Sequence, residues 1–344
     1  MNERGRRLLA LVASIALVGV AFVIRGRGDD GGGGGSDGDD GTTLVCPPEL
    51  ADACRAAAGD RTVRIEEASV TADALAKARR PADAAKSGDV WLVPRPWVEA
   101  VTTTRERGNL PSVLAKPSGV IARSPVVLVV FESRAKALEQ RVCGNGLTWR
   151  CVGDAADEPW DRVGGESTWG TVKAGIAQPA SSTGLVVLGA ATAAYLDNAS
   201  FASNDFDSGL TNWLSKLAAS ASAADVPRPV DMMLTRGAGQ LAALGVIEAD
   251  ARSARGRDDV RVVVPDPVVT ADLVAVSIGD PEDSDAGDDL AKDDDLAEQL
   301  AIAGWRVDGR STEGVDTSVQ LPDKAGIPRG DVLRVLLDTW EQLL

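Results

Sequence analysis

From Thr42 onward the chain alternates short apolar runs rich in Val, Ile and Leu with longer stretches whose apolar positions recur at helical spacing. That rhythm predicts strands at 42–45, 62–65 and 89–93, separated by helices at 47–58 and 71–79, which is the βαβ signature of a mainly parallel sheet. A strongly apolar run at 126–131 opens a second region, with a strand expected at 172–177, an Ala-rich helix at 184–196 and a short strand at 232–234. Strands at 261–264 and 273–276 follow, then an acidic segment and helices near 296–305 and 330–343. The fold class expected from this order is α/β.

The N-terminal pattern is different. Residues 8–24 carry no charge and follow Arg4, Arg6 and Arg7, the arrangement of a signal or a membrane anchor. A spanning helix needs roughly 20 apolar residues, so the run is at the short end. Arg25, Gly26 and Arg27 stand where a small-residue cleavage site belongs. Residues 1–27 are therefore expected to remain as a single-pass transmembrane anchor, with the folded body on the extracytoplasmic side of the cell membrane. Residues 28–41 are Gly and Asp with one Ser, too poor in apolar side chains to pack, and read as a flexible linker to a folded part spanning 42–344.

Charge and composition then narrow the function. With 36 Lys+Arg against 51 Asp+Glu the net charge is -15, which argues against a nucleic-acid partner because phosphate recognition needs concentrated positive charge. The chain has no His, which removes the Ser-His-Asp and Cys-His catalytic arrangements and nearly all catalytic zinc sites. Four cysteines form two C-x7-C pairs, Cys46/Cys54 and Cys143/Cys151, and an even count in an exported chain points to disulfides. The spacing does not suit a four-Cys zinc site, and it leaves three connectivities open.

Four segments carry a resemblance to a known family. They are Asp89-Val90-Trp91-Leu92-Val93-Pro94 leading to Trp97, Ala122-Arg123-Ser124-Pro125-Val126-Val127-Leu128, Gly175 through the turn Pro179-Ala180-Ser181-Ser182-Thr183-Gly184 to Leu185, and Val264-Pro265-Asp266-Pro267. Over residues 42–344 they resemble, in order and spacing, extracellular solute-binding proteins with the type II periplasmic-binding fold. The similarity is greatest to the binding portion of actinobacterial-type proteins that also carry a von Willebrand A domain. The sequence ends where such a domain would start, so that module is expected to be absent.

The resemblance implies two α/β lobes joined by two chain crossings, near 124–129 and 262–266. Lobe 1 is then about 42–124 plus 265–344, and lobe 2 about 125–264. A small-molecule solute, polar or anionic, is expected between the lobes, which would close on it by hinge motion. A transporter permease or another envelope protein is the implied partner, with no cofactor, no metal and no catalysis. Pairing of Cys46 with Cys54 and of Cys143 with Cys151 is expected because each pair then falls within one lobe.

The candidate ligand residues follow from strand ends. The turn containing Ser181, Ser182 and Thr183 offers hydroxyls and amides at a helix N-terminus, where an oxyanion or carboxylate can bind. The plainer reading makes Ser182 or Thr183 an N-cap. Ser124 before a strand, Trp97 after Pro94-Arg95-Pro96, and Thr235 with Arg236 after the expected strand at 232–234 complete the set. In the first turn Cys46-Pro47-Pro48 supplies few amide donors, which counts against oxyanion binding there and favours a ligand-free interaction or scaffold module as the alternative.

Other motifs do not develop. Gly237-Ala238-Gly239-Gln240-Leu241-Ala242 fits a dinucleotide fingerprint, but Asp258 and Asp259 precede the next expected strand instead of ending it. Ser133-Arg134-Ala135-Lys136 lacks the partner motifs of a serine acyl-enzyme. The acidic stretch 280–295 lacks calcium-loop spacing and reads as a solvated, mobile surface segment. A hydrolase using Asp/Glu pairs finds no recognisable setting.

Overall fold

Strand β4 (Ala122–Phe131) belongs to both halves of the molecule and organises the rest. The computed structural model describes residues 41–144, 146–221, 228–312, 314–322 and 329–343. The expected anchor at 8–24 lies outside these residues, and no helix among them is long and apolar enough to cross a membrane.

The strands are β1 (Thr43–Cys46), β2 (Thr62–Ile65), β3 (Val90–Pro94), β4, β5 (Ala174–Ile176), β6 (Ala243–Ile247), β7 (Val260–Val263) and β8 (Thr270–Ser277). The main helices are α1 (Ala51–Ala56), α2 (Ala68–Lys77), α3 (Arg95–Arg107), α4 (Glu132–Leu138), α5 (Trp149–Ala155), α6 (Gly184–Leu196), α7 (Ser208–Ala221), α8 (Pro229–Arg236), α9 (Asp285–Ala291), α10 (Asp294–Ile302) and α11 (Gly330–Glu341). Strand order is β2-β1-β3-β8-β4-β6-β5, with β7 pairing β4. The first part of β4, from Ala122 to Pro125, pairs antiparallel with β8, and the second part, from Val126 to Phe131, pairs antiparallel with β6 and β7. The chain returns between β7 and β8.

The sheet is mixed, in contrast to the mainly parallel one expected. β1 pairs parallel with β2 and β3, and β5 with β6, as βαβ units require. The strands that carry the chain between the halves, β4 and β8, pair antiparallel with their neighbours. The expected strand at 232–234 is instead part of helix α8, started by Pro229 in its first turn, where a missing N–H costs nothing. The strand of that region is β6, every residue of which is buried. The acidic stretch is likewise helical: α9 and α10 form there, with the Asp293 side chain accepting from the Leu296 amide and from Arg61 Nη1.

Helix α6 is apolar on all sides and its residues Gly184–Ala194 are buried, since it lies between the sheet and helices α5, α7 and α11. Helix α11 packs along α3 and also against α6 and α7. Its start approaches α3 so closely that a Cβ on Gly330 would lie 2.1 Å from the Pro96 carbonyl oxygen. Arg105 on α3, 2% exposed, donates to the carbonyls of Leu75, Ala78 and Pro111, so a buried charge is satisfied by the end of α2 and the following loop. The disulfides are Cys46–Cys54 and Cys143–Cys151, both of them local.

Candidate functional site

The C-terminal ends of β1, β2, β3, β5 and β6 feed the turns from which a site is built, as open α/β sheets generally allow. After β1, Pro48 starts a short 3-10 turn that carries Glu49, and the Cys46–Cys54 bond closes the loop around it. After β2, Glu67 precedes α2. After β3, Pro96 in the first turn of α3 sets Trp97. After β5, the chain makes the turn 177–183 before α6, and Gly184 is essential to it: a Cβ there would lie 1.8 Å from the Gln178 carbonyl oxygen. After β6 come Glu248, Ala249 and Asp250.

Three of these turns meet at Ser182. The indole Nε1 of Trp97 donates to the Ser182 carbonyl oxygen at 2.9 Å, and the Ser182 amide donates to Glu49 Oε1 at 3.1 Å. Trp97 and Ser182 are both 0% exposed. The Ser182 hydroxyl and Glu49 Oε2 are buried atoms with no hydrogen-bond partner. Two orphan polar groups thus belong to one contacting pair, and buried polar groups are normally paired.

The neighbouring residues divide differently from expectation. Ser181, not Ser182 or Thr183, supplies the cap, its Oγ accepting from the Gly184 amide at 3.1 Å. Thr183 is buried and makes no side-chain cap bond. Ser124, also buried, has its Oγ accepting from the Ala249 amide at 3.0 Å, which fastens β4 to the turn after β6. Glu248, fully buried, accepts from Arg306 Nε at 2.7 Å and pairs with Arg255, tying that turn to the segment after α10. Thr235 and Arg236 are exposed at the C-terminal end of α8 and precede β6, so they lie at the end of the sheet opposite the turn 181–184. Thr235 Oγ1 donates to the Asp231 carbonyl in its own helix. The structure does not bring these two residues to the others, because the segment before them is a helix running away from the strand ends.

Carboxylates gather where hydroxyls were expected to dominate. Burial, reinforced by Glu49 and partly offset by Arg252, pushes the Asp250 carboxyl up to about 7. Burial and the charge of Glu49 also raise Glu67. Glu49, Glu67 and Asp250 were not singled out in the sequence. Position gives a signal for Glu49, at the start of the helix expected at 47–58, and for Glu67, just after the strand expected at 62–65, and none for Asp250, which follows β6. Among the described residues no group of three or more His, Cys, Asp or Glu could hold a metal ion. Beside Asp250, Arg252 lines a cavity of about 670 Å³ together with Glu298, Ile302, Arg310 and Ser311.

No family model and no curated protein matches the chain. Solved structures do. The periplasmic binding protein AfuA from Actinobacillus pleuropneumoniae, with fructose-6-phosphate bound, is similar at a TM-score of 0.55 and 15% identity, over 88% of this chain and 98% of that one. The ferric binding protein from Campylobacter jejuni is similar at a TM-score of 0.57 and 7% identity, over 88% and 99%. The Trichodesmium protein IdiA (FutA), in complex with iron and citrate ligands, is similar at a TM-score of 0.54 and 8% identity, over 88% and 99%. The fold is thus the mixed α/β, two-lobed fold of periplasmic solute-binding proteins.

Proposed function

We propose that the chain is a membrane-tethered extracytoplasmic solute-binding protein that captures a small polar solute between lobe 1, about 42–124 plus 265–344, and lobe 2, about 125–264. Within the shared fold it is similar to the binding portions of actinobacterial-type proteins that carry von Willebrand A domains. The solute is passed to a transporter permease or another envelope protein, and the chain performs no catalysis.

One observation carries this reading. Glu49 and Trp97, from turns of lobe 1, both bond to Ser182 in the turn before α6 of lobe 2, and the pair Glu49–Ser182 retains polar atoms without partners. The ligand of a two-lobed protein belongs in that position. A ligand-free scaffold module is the second reading, favoured by the same direct contacts, which hold the lobes together through protein groups alone. A thermal-shift and calorimetric screen of the full chain against sugars, amino acids, oxyanions and amines decides between them. A tight solute raises the melting temperature, whereas no response to any class favours the scaffold. Tethering through residues 8–24 is tested by mass spectrometry of the native protein, where a product starting after residue 24 would reveal a cleaved signal.

A further inference from the structure

We propose that the cleft selects a cationic solute, an organic molecule whose ammonium group sits among Glu49 Oε2, the Ser182 hydroxyl and the Asp250 carboxylate. This rests on the solute-capture reading above and narrows it to a charge class.

A hydroxyl-bearing turn at the start of a helix ordinarily invites an anion. Here the invitation is already taken. Glu49 Oε1 accepts from the Ser182 amide at 3.1 Å and Ser181 Oγ from the Gly184 amide at 3.1 Å, so two amides leading into α6 are already engaged by the protein's own oxygens. An anionic solute would have to displace Glu49 from a turn closed by the Cys46–Cys54 bond. It would also meet the carboxyl groups of Asp250 and Glu67, whose pKa values burial raises most and the charge of Glu49 raises further.

What remains unsatisfied has the opposite preference. Glu49 Oε2 is a buried acceptor without a partner, and Ser182 Oγ, on a residue 0% exposed, is a second. An ammonium group carries three donors and no acceptor, so it can serve both oxygens and a second carboxylate, that of Asp250, at once. A positive charge here also relieves the repulsion between Glu49 and Asp250.

The test is isothermal titration of the full chain in detergent at pH 8. Putrescine, spermidine, lysine and choline serve as ammonium probes, with phosphate, citrate and fructose 6-phosphate as anions and glucose as the neutral control. At least one ammonium compound is expected to bind, with affinity reduced tenfold or more in Glu49→Gln and in Asp250→Asn. Should Glu49→Gln not fold, Asp250→Asn and Ser182→Ala carry the comparison. Preferential binding of an anion or of glucose, or ammonium affinity unchanged in these variants, overturns the cationic assignment and leaves solute capture standing. Absence of binding by every probe overturns both.

Discussion

The indole nitrogen of Trp97 donates to the carbonyl oxygen of Ser182 at 2.9 Å, and both residues are fully buried. This bond joins the turn after β3 to the turn after β5 and so bridges the proposed lobes. Trp97→Phe keeps most of the apolar contact while leaving the Ser182 carbonyl without this donor. An unfolding cost of about 1–3 kcal/mol is expected by denaturant titration. Scattering should also show a larger radius of gyration in the absence of solute. A variant as closed as the parent would mean that other contacts hold the lobes.

Ser181 and Ser182 should separate cleanly when each is changed to Ala. Ser181 caps α6 through the Gly184 amide, so its loss should cost about 1 kcal/mol of stability. Ser182 Oγ has no partner, so its removal should leave unliganded stability within about 0.5 kcal/mol and fall instead on solute affinity. Melting curves and calorimetry on the same two variants check this. A large loss of unliganded stability in Ser182→Ala would show that its hydroxyl has a structural role.

The two disulfides should differ in their resistance to reduction. Cys46 and Cys54 are both 0% exposed, whereas Cys143 is only partly buried. Graded thiol treatment with alkylation and mass spectrometry should therefore label Cys143 and Cys151 first. Loss of either loop closure is expected to cost about 2–3 kcal/mol. Opening Cys46–Cys54 should in addition weaken solute binding, because Glu49 lies within that loop.

Most of the elements were legible because they follow simple periodicity. Helix α6 and strand β2 stand where their apolar patterns predict them. Strand β6 was hidden by Gly245, which interrupts its apolar run, and the reason for that glycine is tertiary. A Cβ there would lie 1.9 Å from the Trp149 ring, so the position carries no side chain and admits an indole from α5. The apolar segment Met232-Met233-Leu234 mimics a strand in the same region, although Pro229 three residues earlier is a helix-start signal. Asp250 is concealed along with β6. Ser182 and Trp97 were visible as residues at strand ends, but their contact, and the approach of Glu49 to both Ser182 and Asp250, depend on how distant turns converge. No local pattern encodes that.

Gly184 is expected to tolerate no side chain. A Cβ would lie 1.8 Å from a backbone oxygen of Gln178, and backbone cannot move aside as a flexible side chain does. Gly184→Ala should cost about 3 kcal/mol or more, read as a lowered urea midpoint. Gly119→Ala, whose Cβ meets nothing within 4 Å, is the matched control and should be nearly neutral.

Asp250 should make both stability and solute affinity depend on pH. Burial, then the charge of Glu49, with Arg252 opposing, pushes its carboxyl up to about 7 in the folded chain from an ordinary 3.8. The folded state therefore holds a proton that the unfolded state releases between these values. Linkage then makes the unliganded protein more stable as pH falls from about 7 toward 4. Glu67, raised by burial and by Glu49, acts in the same sense. The gain from Asp250 is at most about 4 kcal/mol at 1.4 kcal/mol per unit, reduced by whatever water reaches the group. Glu132, Asp259 and Asp293, held low chiefly by their partners Arg261, Arg257 and the Leu296 amide, act oppositely, but only below the ordinary carboxylate range. Solute affinity should run against stability: an ammonium compound needs Asp250 ionised, so its binding should weaken as pH is lowered from 8 to 5. Denaturant midpoints and titration calorimetry across that range measure the two slopes. Asp250→Asn should flatten the affinity slope and reduce the stability slope to the share of Glu67, and a variant that kept either slope in full would assign the proton to another group.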